Sequence, residues 1–148
     1  MNILDGLLGE HAAMLTLIEH LEQALARMDL ERLHEAGALV EQVVMAHSIA
    51  EDKHLFDSLP TAAGGLQESM SAMQSEHRQL AHDFDQLRAT TNEAAARGCL
   101  RRLFESVREH FGVEERVLFP LLTRQIPRER LEELGSTWKR RRMREALP

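Results

Sequence analysis

His47-Ser48-Ile49-Ala50-Glu51 and His110-Phe111-Gly112-Val113-Glu114 are one HxxxE element written twice, and each is preceded in the chain by a Glu-His pair, Glu10-His11 and Glu76-His77. On a helix, residues four apart sit one above the other on the same face. Each element therefore aims an imidazole and a carboxylate at a single spot. The chain holds 8 histidines among 148 residues and is rich in Glu, so about one HxxxE arises from composition alone. The weight of the pattern lies in where the two copies fall.

Apolar residues recur with helical spacing through four segments. The first stripe is Leu4, Leu7, Leu8, Met14, Leu15, Ile18, Leu21, Leu25 and Met28, with His11 inside it. Asp29 reads as the N-cap of a second helix. That helix carries Leu33, Val40, Val43, Val44, Leu55 and Leu59, with His47, Glu51 and His54 on the same face. Pro60 to Gly65 breaks the chain. A third helix follows with Leu66, Met70, Met73, Leu80, Phe84 and Leu87, and His77 belongs to it. Asn92 to Gly98 reads as a turn, although its alanine run suits a helix. The fourth stripe is Leu100, Leu103, Phe104, Val107, Phe111, Val117, Leu118 and Leu121, with His110 and Glu114 on the apolar side and Pro120 and Pro127 bracketing its end.

Sparse Gly and Pro, the absence of Tyr and the abundance of strong helix formers point the same way. The fold class expected is all-α, an up-down-up-down four-helix bundle over residues 1–125 with a short basic C-terminal helical extension over 126–148. In that extension Leu131, Leu134 and Trp138 dock, and Lys139 to Arg142 form a solvated face.

The topology brings the histidines level. His11 and His47 lie equally far from Asp29 on either side, and the midpoint of His77 and His110 falls inside the second expected turn. Both hairpins thus place their histidines roughly 25 Å from the turn, at 1.5 Å per residue. His11, His47, Glu51, His77, His110 and Glu114 converge on one layer of the core. A carboxylate on an apolar stripe loses its hydration at a cost of several kcal/mol unless something compensates. With no Lys or Arg at neighbouring stripe positions, metal cations are the economical counter-charge.

This arrangement resembles the hemerythrin-like, or HHE cation-binding, family across roughly residues 1–125. The second element continues Glu115-Arg116-Val117-Leu118-Phe119-Pro120, similar to that family's HxxxEE…LFP ending, and Asp52-Lys53-His54-Leu55-Phe56 is a weaker copy. The resemblance implies a non-haem di-iron centre with two oxo- or hydroxo-bridged irons, Glu51 and Glu114 bridging, and the four histidines as terminal ligands. Respiratory hemerythrins carry an HxxxH pair on the third helix and a last carboxylate five residues after the last histidine. Here His77 and His82 are five apart, which puts His82 on the polar side, and Glu114 follows His110 by four. The chain therefore looks like the HHE branch.

Four histidines and two bridging carboxylates supply about eight bonds, whereas two octahedral irons take about twelve. The open positions suit a small ligand such as O₂, peroxide or NO, bound without turnover or decomposed by an enzyme. Iron delivery or repair of iron–sulfur centres is a further alternative by family analogy, and a metal-free structural bundle is the plainest one. His54 is either a fifth ligand or a histidine near the bundle end. Glu10, Glu76 and Glu115 adjoin site residues, but neighbouring side chains diverge on a helix, so a supporting role is secondary.

Net charge is −6, with +3 in residues 128–148 and −9 before them, so general nucleic-acid binding is not expected and no protein partner is indicated. No apolar run is long enough for a membrane span, no secretory signal is visible, and the expected address is the cytoplasm. Cys99 stands alone, which excludes an internal disulfide or an all-cysteine metal site within the chain.

Overall fold

The computed structural model describes residues 1–59 and 65–145. Among them the chain is helical throughout: α1 Ile3–Ala24, α2 Leu30–His54, α3 Gly65–Ala89, α4 Glu93–Val113, α5 Phe119–Gln125 and α6 Arg128–Glu145. The first four form the expected bundle, with α1 against α2, α2 against α3, α3 against α4, and α4 closing on α1. The break expected at Pro60 lies, up to Gly64, outside the described residues; Gly65 opens α3.

Caps set the helix starts. Asn2 accepts from Leu4 N–H at 2.7 Å and Asp5 N–H at 3.1 Å, while the Asp5 carboxylate answers the Asn2 N–H in a capping box. Asp29 caps α2 as expected, accepting from Arg32 N–H at 3.0 Å. The turn expected over Asn92 to Gly98 is instead the first part of α4. Asn92 accepts from Ala95 N–H at 2.9 Å, and the alanines that follow have the highest helix propensity. Arg97 then ties α4 to the α1–α2 connection, donating to the Leu25 carbonyl at 3.0 Å and the Met28 carbonyl at 2.8 Å.

The other departure lies after Glu114. Residues Glu114–Leu118 form a π turn, and Phe119 N–H donates to the Glu114 carbonyl five residues back. A π turn absorbs one extra residue and so rotates everything downstream. Val117, expected on the apolar stripe, is 47% exposed; Leu118 faces the core as expected, and Phe119 and Leu122 join it there. Pro120 sits at the start of α5, where its missing N–H costs the ladder least, and does not end the helix. Leu8, also expected on a stripe, is exposed.

The apolar core is in two parts. One contains Ile3, Leu7, Leu55, Phe56, Leu66, Met70, Phe119 and Leu122; the other contains Met14, Ile18, Val40, Val44, Leu80, Phe84, Phe104 and Phe111. Along α1, α2 and α3 the switch from one part to the other occurs at a histidine, and along α4 it follows Phe111, next to His110. A layer of polar groups crosses the bundle there. α6 packs on α1 and α2, with Leu131, Leu134 and Trp138 buried in the first part of the core. No helix among the described residues is long and apolar enough to cross a membrane.

Candidate metal centre

The polar layer consists of His11, His47, Glu51, His77, His110 and Glu114, all buried, with both carboxylates at 0% exposure. Each helix of the bundle contributes from its apolar stripe: α1 His11, α2 His47 and Glu51, α3 His77, and α4 His110 with Glu114 one helical turn later. The structure thus brings together all six residues singled out in the sequence.

The histidines face inward in pairs. His11 Nε2 lies 3.1 Å from His47 Nε2, and His77 Nε2 lies 3.0 Å from His110 Nε2. Glu114 spans the pairs, with Oε2 3.1 Å from His11 Nε2 and Oε1 2.9 Å from His110 Nε2 and 3.7 Å from His77 Nε2. Glu51 Oε2 is 3.5 Å from His77 Nε2 and 4.0 Å from His47 Nε2. Two groupings of close ligand atoms result, Glu51–His77–His110–Glu114 and His11–His47–Glu114, with Glu114 common to both.

Outside this layer stands a ring of four carboxylates, one for each outer imidazole nitrogen. Glu10 Oε2 takes His47 Nδ1 at 2.7 Å, Asp52 Oδ1 takes His77 Nδ1 at 3.0 Å, Glu76 Oε2 takes His110 Nδ1 at 2.7 Å, and Glu115 Oε1 takes His11 Nδ1 at 2.9 Å. A carboxylate only accepts, so each Nδ1 carries the proton and, in the neutral ring, each Nε2 lone pair points into the layer. Every one of these acids adjoins an inner residue in sequence and reaches sideways to the neighbouring helix. Their divergence from the centre, expected from helix geometry, is what lets them do so. Asp52 escaped the sequence reading, although its place after Glu51 matches that of Glu115 after Glu114.

Electrostatics of the protein without metal show the strain of two buried carboxylates. Burial, and then the charge of Glu114, push the Glu51 carboxyl up to about 8. Burial would also raise Glu114, but the close imidazoles of His11, His110 and His77 hold it well below the ordinary carboxylate range. Burial works against charging His77, yet Asp52, Glu114 and Glu51 together raise it to about 11. His47, the most deeply enclosed ring, is pushed down by burial. All four oxygens of Glu51 and Glu114 lack a conventional hydrogen-bond partner. A donor set of four imidazole nitrogens and two carboxylates, with uncompensated oxygens at its centre, fits divalent or trivalent cations.

Aromatic rings wall the layer on both sides. Phe111 stacks on His11 with centroids 3.9 Å apart, Phe119 lies 5.7 Å from the same ring, and Phe56 takes the matching place 6.4 Å from His77. The remaining candidates lie elsewhere. His54 is buried but meets Arg141 of α6, which donates from Nη1 to its Nδ1 at 3.2 Å, and it is not among the grouped ligand atoms. His82 is exposed and pairs with Gln86. Cys99 is half-buried, and burial pushes its thiol up, away from reactivity.

A family model described as the hemerythrin HHE cation-binding domain matches residues 2–122. No curated protein and no solved structure gives a match.

Proposed function

From the chain's membership of the hemerythrin HHE cation-binding family, we propose that this cation-binding protein is a non-haem di-iron protein that binds or reacts with a small ligand. In this reading His11, His47, His77 and His110 would hold the ions through Nε2, and Glu51 and Glu114 would be shared between the two ions. The observation that carries it is the span of Glu114, whose two oxygens reach opposite histidine pairs at 3.1 and 2.9 Å. A pair of irons bound there supplies open coordination positions and redox chemistry toward O₂, peroxide or NO.

The chain's own residues do three things for such a centre. The outer carboxylates orient the imidazoles and keep their protons on Nδ1. Phe56, Phe111 and Phe119 exclude water from the flanks of the layer. Glu51, whose carboxyl burial pushes up to about 8 in the metal-free protein, would give up its proton to cations held there, so uptake would exchange positive charge for protons.

Metal analysis with an optical spectrum, on protein purified with iron available, tests the reading. About two irons per chain and oxo-bridge absorption are expected; well under one iron per chain with no spectrum overturns it. Adding hydrogen peroxide then separates the two modes, since rapid O₂ evolution marks an enzyme and a stable adduct marks a binding protein.

A further inference from the structure

The site is built on an internal repeat, and α6 breaks its symmetry. Glu10 and His47 of the α1–α2 half correspond to Glu76 and His110 of the α3–α4 half, and a groove runs past each pair. In the α3–α4 groove Glu76 is 46% exposed, beside Gln79, Asp83 and Glu109, and among the described residues its lining includes no Lys or Arg. In the other groove Ala13 and Ala46 stand where Gln79 and Glu109 stand in this one, and Arg142 of α6 lies across it.

Arg142 meets Glu10 with two donors. Its Nε lies 2.8 Å and its Nη2 2.7 Å from Glu10 Oε1, while Glu10 Oε2 takes the His47 Nδ1 proton at 2.7 Å. Both oxygens of Glu10 are then committed, so the carboxylate plane is held and the His47 ring with it.

The approach of α6 is itself fixed. Trp138 lies one helical turn before Arg142 on the same face and presses against Gly6, where a Cβ would fall 2.6 Å from the indole ring. At Gly135 a Cβ would fall 2.5 Å from the Met1 carbonyl oxygen. Backbone contact this close leaves α6 little freedom to slide.

We infer that Arg142 is a positioning residue that acts through Glu10 on His47, making the two histidine pairs of the site inequivalent. The His11–His47 pair is tied to the C-terminal helix; among the described residues the His77–His110 pair is tied within the bundle. The part concerning metal rests on the proposed function, but the relay itself does not.

Two measurements test it. In the metal-free protein, long-range ¹H–¹⁵N spectra of the histidine rings should show the His47 signals moving in Arg142→Ala and the His110 signals unmoved, with Arg142→Lys restoring part of the shift. Trp138, the single tryptophan, reports by fluorescence whether α6 stays docked, and Arg142→Gln replaces the alanine variant if it does not. In titrations with Co(II) alone, Arg142→Ala should weaken one of two bound equivalents about 3- to 10-fold, less than the 10- to 100-fold typical of a direct partner. Its effect should be largely absent in a Glu10→Gln background and should add fully to that of Glu76→Gln. Unmoved His47 signals, full additivity with Glu10→Gln, or equal weakening of both equivalents would each overturn the inference. Fewer than two Co(II) in the unaltered chain would instead overturn the two-metal reading, while the ring shifts and the Arg142–Glu10 coupling still decide the relay.

Discussion

Glu114 Oε2 stands 3.1 Å from His11 Nε2 across the bundle, so the last carboxylate of the repeat is the counter-charge of the first histidine. The two inner carboxylates are therefore not equivalent in the absence of metal. Glu114 is ionised among three histidines, whereas Glu51 is pushed toward its neutral form by burial and by Glu114 itself. Removing a buried charge that others depend on costs about 3–5 kcal/mol, whereas neutralising a poorly compensated one is close to neutral or stabilising. In chelator-treated protein, Glu114→Gln should lower stability in urea by about 2–4 kcal/mol. Glu51→Gln should leave it unchanged or raise it by about 1–2 kcal/mol. Both should abolish binding of two metals. Equal losses from the two variants would refute this division of roles.

The same groups set an unusual pH profile. The Glu51 carboxyl rises from 4.5 to about 8 on folding, so the folded chain holds a proton that the unfolded chain has released. That contribution is complete below 4.5 and disappears as pH rises through about 8. His77, raised from 6.5 to about 11, contributes fully below 6.5 and loses its contribution as pH rises through about 11. Glu114 acts oppositely, contributing above 4.5 and losing its contribution in acid. Between about pH 5 and 9 the metal-free protein should thus lose thermal stability as pH rises. Metal competes with the same protons, so loaded protein should hold or gain stability across that window. Melting curves at pH 6 and pH 8.5, with chelator and with metal, decide it; a metal-free Tm that climbs with pH would count against the assignment.

The sequence carried the bundle and its inner layer because both rest on short-range periodicity. A helix repeats every 3.6 residues, so the angular place of His47, Glu51, His110 and Glu114 follows from spacing alone. The level of His11 with His47 is legible from their equal arms about Asp29, whereas the connection between α3 and α4 falls at residues 90–92, ahead of the midpoint of His77 and His110. What escaped depends on contacts between distant segments or on a change of period. The carboxylate ring needs the neighbouring helix to be in place before Asp52 can be seen to face His77. The Arg142–Glu10 pair needs the docking angle of α6, which no local pattern encodes. Val117 leaves the apolar stripe because the π turn interrupts the α period.

The outer carboxylates should govern affinity without governing stoichiometry. Asp52→Asn, Glu76→Gln and Glu115→Gln each replace a carboxylate acceptor of a histidine N–H with a weaker amide one, leaving the ring free to turn. Loss of such a partner typically costs 10- to 100-fold in metal affinity. Competitive titration against a chelating dye should show that loss in each variant with the number of ions bound unchanged. His47→Ala and His110→Ala should reduce the number itself. His82→Ala, at an exposed position paired with Gln86, should match the unaltered protein in both respects. A loss in His82→Ala equal to that in Glu76→Gln would show that the ring has no special role.

The π turn offers a separate test, since it is one residue of length. From Val107 the buried face steps to Phe111 and Glu114 by four and three, and then five residues separate Glu114 from Phe119. Deleting Val117, which is exposed, shortens that last step to four and lets the helix continue with α spacing. Phe119 and Leu122 should then stay in the core, and the fold should survive with Tm lowered by only a few degrees, roughly 1 kcal/mol. Glu115 lies within the wider turn and reaches His11 at 2.9 Å. The deletion should therefore weaken metal binding about tenfold, as Glu115→Gln should, and the two changes together should cost no more than either alone. Full additivity would mean that the π turn serves the packing of Phe119 and not the placement of Glu115.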